Sequence, residues 1–303
     1  MKVFSFTPYL TAIFFCLFPP ALVFANNSFV DESSDFSLLF APQAHSILMI
    51  SGLDYSSGYY GLKQKTEMLY IPMVFKYHQG NWDFGLTVSY IKMTGPGGIF
   101  GGGDGGVIPT GNDGELASNK AKKSNQNNPG QANNKPDKKG LISNEGVGDS
   151  LIKVAYAADI LLQLPFLLEL GGQVKIPTAD QDKELGTGEF DWSIYLDLAY
   201  SFDSFSPFMT LGYKFMGDPE PVNLDNVFYS SLGLDYAFSP NLHSGIIYDY
   251  KQKLLVNSYA IRESTLYVNW SITQHWSISS YIVKGFASGS PDWASGLQFS
   301  FSL

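Results

Sequence analysis

The chain has 303 residues, a formal net charge of −9 and 15% aromatic residues, with 30 glycines and one cysteine. The acidic balance excludes nucleic acid as a partner, because no basic patch offsets phosphate repulsion. A lone cysteine excludes a disulfide framework, so a secreted chain of this size needs some other scaffold.

Residues 1–25 read as a secretory signal peptide. Lys2 gives the positive start, Leu10 to Phe18 an apolar run ended by Pro19 and Pro20, and Val23-Phe24-Ala25 a cleavage site. The run is too short for a membrane anchor. Cys16 follows Phe14-Phe15, where a lipoprotein signal wants small residues, and the mature chain from Asn26 contains no cysteine. Segment 26–45 is polar and reads as a periplasmic lead or a plug folded into a lumen.

From residue 46 onward the dominant hydrophobic period is two. Twelve segments show it: 46–60, 67–77, 83–94, 148–157, 167–176, 189–202, 208–215, 226–238, 242–252, 258–272, 276–284 and 292–303. In Asp191 to Phe202, the residues Trp192, Ile194, Leu196, Leu198, Tyr200 and Phe202 share one face. Asp191, Ser193, Tyr195, Asp197, Ala199 and Ser201 share the other. Pro72 removes a ladder donor from the second segment.

Connection lengths alternate. Gln79-Gly80-Asn81, Asp203 to Ser206, Ser239-Pro240-Asn241 and Thr273-Gln274-His275 are tight, whereas 95–147, 177–188, 216–225 and 285–291 are long. Transmembrane barrels alternate in this way, with short periplasmic turns and long extracellular loops. An even strand number leaves both termini in the periplasm. A soluble β-sandwich also has period-two strands. It does not account for Trp192, Tyr200, Phe202, Tyr236, Phe238 and Trp293 at strand ends on the apolar face, where interfacial girdles belong. The expected fold is all-β: a single antiparallel transmembrane β-barrel of about twelve strands over 46–303.

Loop 95–147 is low-complexity. Glycines crowd Gly95 to Gly106, and Lys120, Lys122, Lys123, Lys135, Lys138 and Lys139 follow among Asn and Gly. Such a composition predicts a disordered extracellular loop, with lysines that can meet lipopolysaccharide phosphates.

An apolar face on lipid puts the charged face inside. The pattern predicts lumenal Lys76, Asp83, Asp149, Lys153, Glu169, Lys175, Asp191, Asp197, Lys214, Asp235, Asp249 and Lys251. These serve either as ion pairs that fill and rigidify the interior or as a lining that selects permeants.

Catalysis is not expected. A lipase needs a Ser–His–Asn/Asp set at the outer rim. His78 and His275 fall in predicted periplasmic turns, His243 starts a strand at that end, and His45 precedes the first strand. Asp180, Asp182, Asp218 and Asp225 lie in long loops without the spacing of an acid dyad. The Gly-rich stretch lacks the Lys-Ser/Thr of a phosphate loop, and Gly101-Gly102-Gly103-Asp104 falls short of a calcium repeat. No catalytic, cofactor-binding or metal-binding residue stands out, and no cofactor is implied.

The second half of the chain resembles a known family. The residues are Gly146-Val-Gly-Asp149, Val174-Lys-Ile-Pro-Thr-Ala-Asp180, Leu185-Gly-Thr-Gly188 with Asp191, Gly212-Tyr-Lys-Phe-Met-Gly-Asp218, and Gly289-Ser-Pro-Asp-Trp293 before a last strand containing Gly296. Together they look like the outer-membrane proteins of the meta-pathway of phenol degradation, over residues 146–303. The resemblance implies a Gram-negative outer-membrane barrel that moves hydrophobic or aromatic compounds, and it carries no catalytic residues. The chain departs from the family in its lysine-rich loop and in ending on Leu303 where barrels commonly end on Phe. The reading is a porin-like outer-membrane channel for small solutes, hydrophobic or aromatic ones included. Its partners are membrane lipid, lipopolysaccharide, the barrel-assembly machinery and the solute. The alternatives are a non-transporting surface barrel that displays loop 95–147 and, third, an outer-membrane hydrolase.

Overall fold

The computed structural model describes residues 45–96, 99–101, 107–109, 141–162, 164–220, 222–256 and 258–303. The signal-peptide and lead segments, apart from His45, lie outside the described residues, as do the six lysines of the long loop. Fifteen strands are formed: β1 (His45–Gly58), β2 (Thr66–Gln79), β3 (Trp82–Gly95), β4 (Ile99–Gly101), β5 (Val107–Pro109), β6 (Ile142–Val147), β7 (Ser150–Ala157), β8 (Leu167–Ile176), β9 (Asp191–Ala199), β10 (Phe205–Phe215), β11 (Val227–Ser239), β12 (Leu242–Lys251), β13 (Ile261–Ser271), β14 (Trp276–Gly285) and β15 (Trp293–Ser302). A single helical turn, α1 (Asp159–Leu162), joins β7 to β8.

Each strand pairs antiparallel with its neighbour, and β1 pairs with β15 from Leu48↔Ser302 to Ser57↔Trp293, which closes the sheet. β6 and β7 are successive halves of one stave, because both pair with β3: Tyr90↔Val147 for the first and Thr87↔Leu151 for the second. The closed barrel therefore has twelve staves. β4 and β5 form a separate small hairpin.

Burial alternates with period two and is inside out. Ile194 is 60% exposed, Leu232 61% and Ile282 60%, while Asp191, Asp197 and Lys214 are at most 2% exposed. Such a surface is stable only against hydrocarbon. The closed ladder suits it, since no backbone N–H or C=O is left unpaired at an edge. Aromatic rings mark both rims of the wall. Trp82–Tyr156, Tyr236–Phe238 and Trp276–Phe301 pack at 4.8, 4.8 and 4.7 Å at the end of the short turns. Tyr213–Phe215 and Tyr55–Trp293 pack at 5.0 and 5.3 Å at the end of the long loops.

Inside the wall, rings lie over glycines of adjacent strands. A Cβ on Gly171, Gly212, Gly233, Gly245 or Gly296 would fall within 2.3 Å of Tyr195, Tyr229, Phe208, Tyr267 or Tyr281 respectively. The missing side chain lets the ring cover the backbone and pins the register.

The missing donor of Pro72 shows in the ladder, and two sequence expectations change. Pro72 sits inside β2 and keeps its pairing with Ser89 of β3, while the β1–β2 ladder skips from Ser51↔Met73 to Asp54↔Tyr70. His78 is not in a turn but is the last inward residue of β2. Loop 95–147 is not disordered throughout: 99–101 and 107–109 pair, and Ile142–Val147 is strand. The last piece takes its order from the free upper edge of β3 rather than from apolar content of its own.

Leu232→Arg, on the lipid face at mid-strand, is expected to cost about 2–4 kcal/mol, whereas Leu232→Phe stays near neutral. Urea unfolding in lipid vesicles, followed by tryptophan fluorescence, measures both.

Candidate functional site

All twelve residues expected inside lie on the inward face. Nine are buried, and Lys76, Asp83 and Lys153 are half-buried. They separate into two groups.

The group at the long-loop end is built around Lys175, the penultimate residue of β8. Its Nζ lies 3.3 Å from Asp149 Oδ2 and 3.0 Å from Asp191 Oδ2, and it donates to Thr187 Oγ1 at 2.6 Å. Ammonium and both carboxylates are at most 1% exposed. Asp191 reaches the knot by simple register, opposite Lys175 across the β8–β9 ladder. Asp149 reaches it by a β-bulge: Gly148, Asp149 and Ser150 stand against two residues of β3, and the Gly148 amide donates to Ser89 O at 2.8 Å. The extra residue re-aims the carboxylate inward.

The knot ties down the β8–β9 loop. Ala179 N donates to Asp149 Oδ1 at 3.0 Å, and Thr178 Oγ1 to Gly148 O at 2.9 Å. A Cβ on Gly186 would fall 2.7 Å from both Asp149 oxygens, so only glycine lets the loop backbone pass there. Asp180 caps the 3-10 turn Gln181–Lys183, which ends on Glu184 at φ 58° and delivers Leu185 inward. Leu185 is fully buried against Tyr60, Met68, Tyr70, Ile91 and Met93, inward residues of β2, β3 and the β1–β2 loop. The loop thus folds over part of the mouth. Tyr60 joins it through a positive φ of 49°, a strained conformation for a bulky residue. Its phenol donates to Ser56 Oγ at 3.1 Å, and burial pushes its pKa upward, so it stays protonated. A neighbouring loop is tied in as well, since Gly217 N donates to Asp191 Oδ1 at 3.0 Å.

Lys214, Asp249 and Lys251 extend this upper layer around the wall. Lys214 stands opposite Ser193, Lys251 stands opposite Tyr229, and Asp249 accepts from Ser231 Oγ at 2.5 Å.

The lower group faces the short-turn end. Glu169 and Asp197 are directly opposed across β8–β9, a repulsive pairing that needs compensation. Thr210 Oγ1 donates to Asp197 at 2.5 Å, Tyr195 OH donates to Glu169 at 3.3 Å, and Lys153 Nζ sits 4.6 Å above the Tyr195 ring. Asp83 bonds His78 Nδ1 at 2.8 Å, Asp235 bonds His243 Nδ1 at 2.9 Å, and Tyr267 OH donates to the other Asp235 oxygen at 2.7 Å. Lys76 lies between these pairs and β1, opposite Leu48.

Sequence reasoning missed four inward Asp, Glu and His side chains that the register brings in. Asp54, 1% exposed, accepts from Tyr281 OH at 2.6 Å, and Glu263 is fully buried. His78 and His243 pair with carboxylates inside the wall. Strict alternation through β13 would have placed Glu263 inside. β1 gives a weaker signal, because Leu48 and Ile50 are buried inside while Ile47 and Met49 are exposed outside. Among the described residues no group of three or more His, Cys, Asp or Glu is arranged to hold a metal ion.

Comparison with known proteins adds the following. The family model described as "Putative MetA-pathway of phenol degradation" matches residues 88–303, which reaches further toward the N-terminus than the motifs themselves. No curated protein matches the chain in sequence. Among solved structures, the chain is similar to an outer-membrane channel from Pseudomonas putida F1, with TM-score 0.61 and 10% identity over 87% of this chain and 97% of that one. It is also similar to the NanC porin, with TM-score 0.49 and 11% identity over 84% and 100%. The Pseudomonas putida toluene transporter TodX follows with TM-score 0.42 and 12% identity over 95% and 95%. The first likeness shows that the two chains share a fold.

Lys175→Met leaves two buried carboxylates without their cation and is expected to cost about 3–5 kcal/mol. Adding Asp149→Asn and Asp191→Asn should recover much of that loss. Urea midpoints of the three proteins in vesicles check the order.

Proposed function

The chain belongs to the family described as the MetA pathway of phenol degradation, and from that premise we propose that it is an outer-membrane channel for small solutes, hydrophobic or aromatic ones included. One observation carries the reading: a closed twelve-stave barrel of the outer-membrane channel fold with an ionisable, two-layered interior. Charges of both signs along the wall line the path, and the loop tied to Lys175 covers part of its outer mouth. In this reading residues 1–25 direct export and are removed, and segment 26–45 serves as a periplasmic lead or as a plug. Lipopolysaccharide phosphates are partners for the lysines between 120 and 139, and the barrel-assembly machinery inserts the chain through a last strand that keeps Phe299 and Phe301 outward ahead of Leu303.

A second reading, a surface barrel that displays its long loop without transporting, is favoured by the near-complete burial of the inward side chains. Conductance of the purified barrel in planar bilayers separates the two. A channel passes ions above the empty-membrane background, and Asp197→Asn, which removes a wall charge, lowers cation preference. A membrane that stays silent with wild type, with residues 110–140 deleted and with Lys175→Met would overturn transport.

A further inference from the structure

Five adjacent strands carry a row of buried polar atoms that find no partner in the fold. His243 on β12 stands opposite Asn269 on β13, Asn269 opposite Ser279 on β14, and Ser279 opposite Gln298 on β15. Gln298 then stands opposite Gly52 on β1, two residues before Asp54. Each of the five side chains is at most 5% exposed. His243 Nε2, both polar atoms of Asn269, Ser279 Oγ, Gln298 Oε1 and Asp54 Oδ2 make no hydrogen bond.

Orphan atoms of this kind are costly, because each loses its hydration without replacement. Register places them side by side on one arc of the inner wall, stepped by the strand spacing of about 4.8 Å. A ring layer lies directly above: Tyr267 and Tyr281 are opposed across β13–β14, over Gly245 and Gly296. Their hydroxyls are held by Asp235 and Asp54, so what they offer inward is ring rather than hydroxyl.

The chemistry of the side chains narrows what the arc can take. Asp235 accepts from Tyr267 and, as a carboxylate, can only accept from His243 Nδ1. Nδ1 therefore carries the proton of that bond, and Nε2 is the ring atom left without a partner. Asn269 Oδ1 and Gln298 Oε1 are acceptors, the Asn269 amide is a donor, and the Ser279 hydroxyl can serve as either. We propose that this arc is a subsite for neutral solutes bearing two or more hydroxyl groups, which donate to the acceptors and accept from Asn269 and Ser279. The proposal rests on the channel reading and sharpens it, since a solute passing this wall is selected by its hydroxyls. Binding spread over several single hydrogen bonds is also what lets a permeant leave again.

The test uses the full-length barrel in proteoliposomes, with xylitol as the probe in swelling assays and KCl conductance in parallel. Asn269→Leu and Ser279→Ala remove polar atoms that have no partner in the fold. In the double variant xylitol flux should fall by about fivefold, the worth of roughly one net hydrogen bond, while KCl conductance stays within about twofold of wild type by the same reasoning. The thermal midpoint should hold or rise, because buried atoms without partners have been replaced by apolar ones. Unchanged xylitol flux through a conducting double variant overturns the subsite and leaves the channel standing. A falling thermal midpoint also overturns it, since the arc is then structural. A wild-type barrel that passes neither KCl nor xylitol overturns the channel reading itself.

Discussion

Everything in this molecule depends on the pairing of β1 with β15. In hydrocarbon an unpaired N–H or C=O has no water to turn to, so a sheet that crosses lipid must have no edge. Once Leu48 meets Ser302 and Ser57 meets Trp293, the strand period does the rest. Alternate residues are committed to lipid or to the interior, and a slip of one residue in any ladder would drive charges into hydrocarbon. The glycines beneath Tyr195, Tyr229, Phe208, Tyr267 and Tyr281 resist such slips, because no other register leaves room for the rings.

An interior filled with charges must then balance itself. The barrel does so locally: a lysine between two aspartates at the mouth, and histidine–aspartate pairs and a lysine-capped tyrosine at the far end. Such buried networks contribute little net stability but are costly to break, which makes them position-fixing devices. At Lys175 the position being fixed is that of a whole loop. Asp149 comes from a bulge, Thr187 from the loop itself, and Asp191 from the strand that resumes after it. Four of the five short motifs singled out in the sequence converge here, so what looked like turn chemistry is the wiring of one knot.

The fold was legible because its strongest signal is local. Alternation in Asp191 to Phe202, or in Tyr229 to Phe238, needs no knowledge of partners, and the alternating connection lengths supply the orientation. What stayed hidden depends on partners far away in sequence. Ile142–Val147 reads as the tail of a low-complexity loop, and only the upper half of β3 makes it a strand. His78 follows a proline-interrupted segment, and its place inside is set by Asp83 across the hairpin. Asp54 lies in a strand apolar on both faces, so alternation carries little contrast there. The inward set of Asp149, Lys175 and Asp191 could be read from parity, but their convergence on one atom could not, since it needs the bulge at Gly148 and an inward-folding loop.

The two polar systems of the interior obey opposite rules. Around Lys175, the buried charges face opposite charges or hydrogen-bond donors, and the elements that supply them are locked together. Along His243, Asn269, Ser279 and Gln298, polar atoms are buried and left without partners on adjacent strands. A sequence shaped for stability alone would place apolar side chains there, as it does one or two steps away at Ile247, Val283 and Ala294. Unmet hydrogen-bonding capacity, gathered on adjacent strands and roofed by fixed rings, is a standing cost to the fold. It makes physical sense where something else, passing through, completes the bonds.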